Sequence, residues 1–344
     1  MGLNAKIIYW TFCLSVVVHI FISKAIAQPE CYFEHFGVED GLPQHTVMDI
    51  LQDKKGFMWF ATWNGLCKFD GYKFVTYRLS PDINPEGKSN RFDQISEDQY
   101  NNIWALSYDD QAYLFNPQTE LFTGVQSLEY YNNRPFYTTK ILHTKSGKTW
   151  LISEENGCIC VKDSIFGADI FTIENHNLTD NFVTTVYEDK SHNAWILTRS
   201  GITFLSPDHR RRIIYFNPAS ETPYKKNLPF FCGHEFGGEI WFGSSEGSIW
   251  KFNIDKKTFT ELRTDVLSNI VAIKKISSEK ILIISENDGF MIYNTFDASI
   301  DKYNSRTLAD MESDQILNSY IDKSNNVWLE TNRLGVSKFN PYTK

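Results

Sequence analysis

The chain has no basic run longer than the triplet Arg210-Arg211-Arg212, and its 344 residues carry a formal charge of −8. Gripping a phosphate backbone takes clustered cations, so no nucleic-acid partner is expected. There is no C-x-x-C pair, and His45, His143, His176, His192, His209 and His234 show no metal-ligand spacing. No metal or cofactor is therefore assigned. A nucleophile elbow is missing too, and none of the many carboxylates is marked by pairing. The chain is read as non-catalytic. Amphipathic helical stripes and heptads are also lacking, while aromatics reach 15%, a balance that favours β structure.

One long apolar run is present, and it sits at the start. Lys6 precedes Ile7 to Ile22, and Ala25-Ile26-Ala27 then offers an A-x-A site. Residues 1–27 read as a signal peptide cleaved after Ala27. Removal takes away Lys6 and Lys24 and moves the charge to −8 − 2 = −10. No run of spanning length follows, so a mature chain without a membrane span is expected in the periplasm. Of its five cysteines, Cys31, Cys67, Cys158, Cys160 and Cys232, none pairs by spacing. Buried free thiols acting as small hydrophobes are expected.

What the sequence does have is a repeat. Trp59, Trp104, Trp150, Trp195, Trp241, Leu282 and Trp328 recur at about 45 residues. Three residues after each stands a small hydroxyl: Thr62, Ser107, Ser153, Thr198, Ser244, Ser285 and Thr331. A glycine follows as Gly65, Gly157, Gly201, Gly247, Gly289 and Gly335, and Asp53, Asp98, Asp189 and Asp322 stand six residues ahead of the mark. The aspartate is expected to cap its turn, the hydroxyl to satisfy backbone groups between blades, and the glycine to supply positive φ.

Each unit reads as four short strands. In the first these are Val47–Gln52, Phe57–Thr62, Leu66–Phe69 and, after the Asp70-Gly71 turn, Lys73–Tyr77. Four-stranded units at this period predict an all-β, seven-bladed β-propeller over residues 28–344. The seventh unit supplies only Ile316–Ile321, Val327–Thr331 and Val336–Phe339. The spare strand at residues 31–36 is expected to complete that blade and close the ring.

The first unit also carries a family signature. Phe36 to Pro43, Val47 to Asp53, Gly56 to Thr62 and Gly65 to Gly71 together resemble the start of two-component regulator propellers. These are sensor regions of hybrid two-component systems, best represented among gut Bacteroidetes. The resemblance implies a periplasmic sensor of glycan-derived oligosaccharides. Full-length members add a second propeller, a β-sandwich, a membrane helix and a histidine kinase. This sequence has no kinase pattern, so either a truncated sensor or a free-standing binding module is expected.

The turn between strands b and c and the loop leading into strand a should open on one face, around the channel. Candidate ligand-binding residues on that rim are Trp63, Asn64, Tyr108, Asp109, Arg199, Glu286, Asn332 and Arg333, with His45 and Arg91 from the lead-in loops. The residue after the repeated hydroxyl changes in every unit, and planes of Trp and Tyr with charged partners suit sugars. Two alternatives stay open. One is a protein-interaction surface, for a homodimer or a partner sensor chain. The other is a glycan-active enzyme.

Overall fold

The computed structural model describes residues 32–83, 89–125, 130–131, 134–161, 168–175, 178–216, 229–308, 310–331 and 334–341. The leader and its cleavage site, Cys31, and the candidates Asn332 and Arg333 lie outside the described residues.

Seven four-stranded antiparallel sheets follow one another along the chain. The first consists of Val47–Gln52, Met58–Thr62, Gly65–Phe69 and Phe74–Tyr77, within a residue of expectation at every end. The innermost strands of the next six are Phe92–Glu97, Lys140–His143, Val183–Glu188, Phe230–Phe236, Ile270–Lys275 and Ile316–Ile321. A two-stranded ribbon, Tyr130–Tyr131 with Arg134–Pro135, is added between blades two and three.

The ring closes as the sequence predicts. Phe33–Phe36 is the outer strand of blade seven, with Phe33 opposite Phe339 and Phe36 opposite Val336. Phe36 stacks on Trp328 at 5.6 Å, and Lys338 Nζ lies 3.0 Å from Glu34 Oε2. Gly335 is needed at this seam. Its φ is +86°, and a Cβ there would stand 2.2 Å from the carbonyl oxygen of Phe36, closer than any side chain allows.

The core lies between blades. Trp59 of blade one packs on Phe115 of blade two, Trp195 on Phe252 and Trp241 on Tyr293 of the next blades, and Trp328 of blade seven on Phe60 of blade one. Truncating such a ring typically costs about 3–5 kcal/mol, so the repeated tryptophan is what binds neighbours. Cys67, Cys158 and Cys160 form no disulfide and are buried in these layers, as small hydrophobes would be.

The repeated aspartate does more than cap. Asp189 accepts from the backbone N–H of Ser191 and Asn193 at 2.9 Å each, and its other oxygen accepts from Trp195 Nε1 at 2.9 Å. The same indole bond joins Trp59 to Asp53, Trp104 to Asp98 and Trp328 to Asp322. Where the ruler is Leu282, the place six residues earlier holds Ile276, a core residue. Blade three breaks the pairing: Thr144 stands there, and Trp150 Nε1 is buried with no partner.

Two expectations change. The repeated hydroxyl closes its own b–c turn and does not bridge blades: Thr62 Oγ1 donates to the Gly65 carbonyl at 2.7 Å, and Thr198 Oγ1 to Gly201 at 2.8 Å. That turn leaves a carbonyl pointing inward, and the hydroxyl is the nearest donor. The following glycine is not always left-handed. Gly201 is absent from the positive-φ positions, yet a Cβ there would lie 2.8 Å from the Tyr215 carbonyl. Close approach of strand d is the constraint at that blade.

Asp189→Ala should cost about 3 kcal/mol, because it leaves a buried indole N–H and turn donors unmatched. Thr144→Asp should add about 1 kcal/mol by supplying the acceptor Trp150 lacks. Urea unfolding followed by tryptophan fluorescence measures both.

Candidate functional site

The b–c turn of a blade and the loop leading into its strand a share one face. The backbone N–H of Trp63 donates to the Thr46 carbonyl, Tyr108 to Arg91, Arg199 to Phe182 and Glu286 to Asn269. In each pair the turn residue that varies between units is tied to its own lead-in loop.

On this face the structure brings three of the candidates together across blades one and two. The Arg91 guanidinium lies 4.6 Å from the Trp63 ring centroid and 4.9 Å from that of Tyr108. Asp93 holds it from the side, with Arg91 Nε 2.7 Å from Oδ1 and Nη2 3.2 Å from Oδ2. A cation fixed over an aromatic face contributes about 0.5–1 kcal/mol at exposed sites. Tyr108 remains 59% exposed. The result is a rigid aromatic–arginine ledge at the rim.

The other candidates are engaged separately. Asn64 Oδ1 accepts from Arg78 Nε at 3.2 Å, and its backbone N–H donates to Thr62 Oγ1. Asp109 Oδ1 accepts from Ser107 Oγ at 2.5 Å, so it trims its own turn. His45 lends its carbonyl to Gly335 N–H at 2.9 Å. Glu286 accepts from Asn269 Nδ2 at 2.7 Å. Arg199 repeats the ledge motif in blade four, over Phe182 at 5.0 Å and 3.2 Å from Asp180 Oδ2.

The channel itself is a site that the rim argument missed. Facing residues two beyond the ruler are Asp49, Gln94, Lys140, Thr185, Cys232, Ala272 and Asn318, one per blade. Most of these inner positions clasp the next blade. Asp49 Oδ2 accepts from Ile95 N–H at 2.9 Å, Gln94 bonds both the N–H and carbonyl of Ile141 at 2.9 Å, and Asn318 Nδ2 donates to Asp49. Thr184 Oγ1 reaches the Phe230 carbonyl, and Lys274 Nζ the Ser319 carbonyl. The signal was available. It is the residue ten before each tryptophan or Leu282 (nine in blade five), which changes in chemistry from unit to unit.

Burial sets the electrostatics here. It raises the Asp49 carboxyl above its ordinary range, against the pull of the Ile95 N–H and of Lys140. The same desolvation lowers both Lys140 and Lys274, the latter to about 8, while Asp49 pulls each back up. His234, nearby, is pushed down to about 4 by burial and then by Lys274. It is neutral at physiological pH.

Glu330 faces Asn318 where the six other blades carry Ala61, Leu106, Ile152, Leu197, Gly243 and Ile284. It is 1% exposed, and neither carboxyl oxygen has a hydrogen-bond partner. Burial, then Asp49 and Asp93, raises its pKa well above normal. The folded state therefore holds a proton that the unfolded chain releases above about 4.3.

The comparisons follow this geometry. Residues 41–64, which include the Trp63 turn, match the family model described as two component regulator propeller. The match spans one such repeat, in blade one. A histidine kinase of Formosa agariphila is 43% identical over 70 residues, 20% of this chain and 5% of that protein. The extracellular domains of two B. thetaiotaomicron hybrid two-component systems share the fold. BT3049 gives a TM-score of 0.71 at 23% identity over 90% of this chain, and BT4673 gives 0.69 at 19% over 92%. The chain spans 42% and 44% of those two domains, less than half of either. The propeller YCF48 from Cyanidioschyzon merolae, at 9% identity, matches with a TM-score of 0.65. Among the described residues no helix is long and apolar enough to cross a membrane.

Stability should fall as pH rises above about 5, by up to about 1.4 kcal/mol per pH unit for as long as the folded state keeps the extra Glu330 proton. Glu330→Leu, the residue blades two and four use, should flatten that slope and raise the melting temperature at pH 8. Thermal unfolding across the pH series reads both effects.

Proposed function

We propose that this chain is the input propeller of an extracytoplasmic sensor, placed in the periplasm by its leader, which binds a glycan-derived oligosaccharide without catalysis. The observation that carries this reading is the Trp63–Arg91–Tyr108 ledge. It is built from positions that vary between units, and its first member lies in the segment matching the regulator propeller repeat. Aromatic faces offer a stacking surface for the C–H face of a sugar ring, and the Asp93-held guanidinium leaves polar edges for hydroxyls. The fold shared with ectodomains of hybrid two-component systems supports the sensor role. Kinase activity would then belong to another segment or another chain.

Calorimetric titration with neutral glycan fragments tests this. For a fragment that binds, Trp63→Ala and Tyr108→Ala should each weaken affinity by at least about tenfold, or about 1.4 kcal/mol. Unchanged affinity in both variants would show the rim to be the wrong surface.

A further inference from the structure

Beyond the rim, the inner strands of blades three to seven line an open cavity of about 450 Å³ in the channel. That volume lies within the range of about 300–1,000 Å³ typical of small-molecule sites. Tyr187, Tyr320, His234 and Asn318 are among the residues that line it. Among the described residues its lining includes Lys140, Lys274 and Lys275 and no carboxylate. This is a cationic cavity in a chain whose net charge is −8.

The two inner lysines are placed differently. Lys274 Nζ donates to the Ser319 carbonyl and lies 5.6 Å from the Tyr320 ring centroid. Lys140 occupies a position from which Asp49, Gln94 and Asn318 clasp a neighbour, yet its ammonium makes no hydrogen bond among the described residues. Asp49, the acidic group that acts on both lysines, gives two of its bonds to the backbone N–H of Ile50 and Ile95 and a third to Asn318. One buried carboxylate faces two ammonium groups, so the balance is short of one negative charge. Tyr187 and Tyr320 spend their hydroxyls on Glu235 N–H and the Gln52 carbonyl. Both residues line the cavity.

We propose that this cavity is a second ligand site, which takes the carboxylate of a sugar acid on Lys140 and Lys274 and its ring against Tyr187 and Tyr320. The proposal rests on the sensing reading and deepens it: the acidic residue of a glycan fragment would be read in the channel and neutral residues at the rim. A bound carboxylate keeps Lys274 protonated, so affinity falls as pH rises through about 8, the value to which burial lowers that lysine. Cys232, raised by burial, and His234, lowered by it, keep their neutral forms through this window. Lys140 and Lys275 line the same cavity, while Asp49 acts on Lys140 and Lys274 from outside its lining.

Sodium galacturonate is the probe, titrated into the purified protein at pH 7 beside galactose and acetate at matched ionic strength. Expected are a Kd of about 1 mM or tighter, a loss of at least tenfold in Lys140→Met, and a weaker signal at pH 9. Lys140→Met removes no hydrogen bond, so it should fold. Amine labelling of the wild-type protein with mass spectrometry gives a second reading. Galacturonate should slow modification of Lys140 and Lys274 while leaving exposed Lys55 unchanged. Undiminished affinity in Lys140→Met, or no protection of either lysine, overturns the proposal. Protection by acetate equal to that by galacturonate overturns its sugar half. Binding that is lost in Lys140→Met but kept in Trp63→Ala separates this site from the rim.

Discussion

A hydrogen bond from a buried indole to a turn aspartate fixes the geometry on which the propeller depends. Tryptophan is large enough to fill the wedge between blades, but its N–H cannot be left dry without cost. The aspartate six residues earlier answers that need while it closes the a–b turn, so strand spacing and inter-blade packing are set by one side chain. Two of the three exceptions support this account, and blade three, whose Trp150 N–H has no acceptor, is the third. Trp241 takes Glu239 as its acceptor across a shortened turn, and the blade without an indole dispenses with the acid as well.

Inside this repeated shell the inner strands follow another rule. Each blade must be tied to the next near the axis, and the inner strands do this with side-chain hydrogen bonds. Asp49, Gln94 and Cys232 do this with short polar groups aimed at neighbouring backbone, and Asn318 with an amide that donates to the Asp49 carboxylate. Because any small donor or acceptor serves, the position is free to vary, and that freedom gives the channel an uneven wall. Lys140 and Glu330 are the two places where the chemistry exceeds what holding the ring requires.

Much of the fold was legible because it is repeated. The repeat marks located all seven blades, and the missing fourth strand of unit seven pointed to the spare strand at residues 31–36, which pairs with Val336–Phe339. The rim was half legible. Variation after the repeated hydroxyl pointed to Trp63 and Tyr108, but Arg91 joining them depends on the twist between two blades, which spacing does not encode. Asn64, Asp109 and Glu286 carry suitable groups yet spend them on nearby partners, a matter of rotamer and turn shape. The channel was overlooked for a different reason. Its residues sit in strands with ordinary alternation, and a lysine or aspartate there looks like a solvated edge until the ring closes around it.

The closing strand has a consequence for how the protein comes to be. Phe33–Phe36 leaves the ribosome early, yet its partner Val336–Phe339 comes some three hundred residues later. Pairing of such distant segments is slow, since most of the chain must be ordered before the contact is rewarded. Until then an unpaired strand edge is open to other chains. The last blade thus acts as a completion check: a chain cut short or misassembled anywhere along its length presents a raw edge, and only an intact ring is sealed.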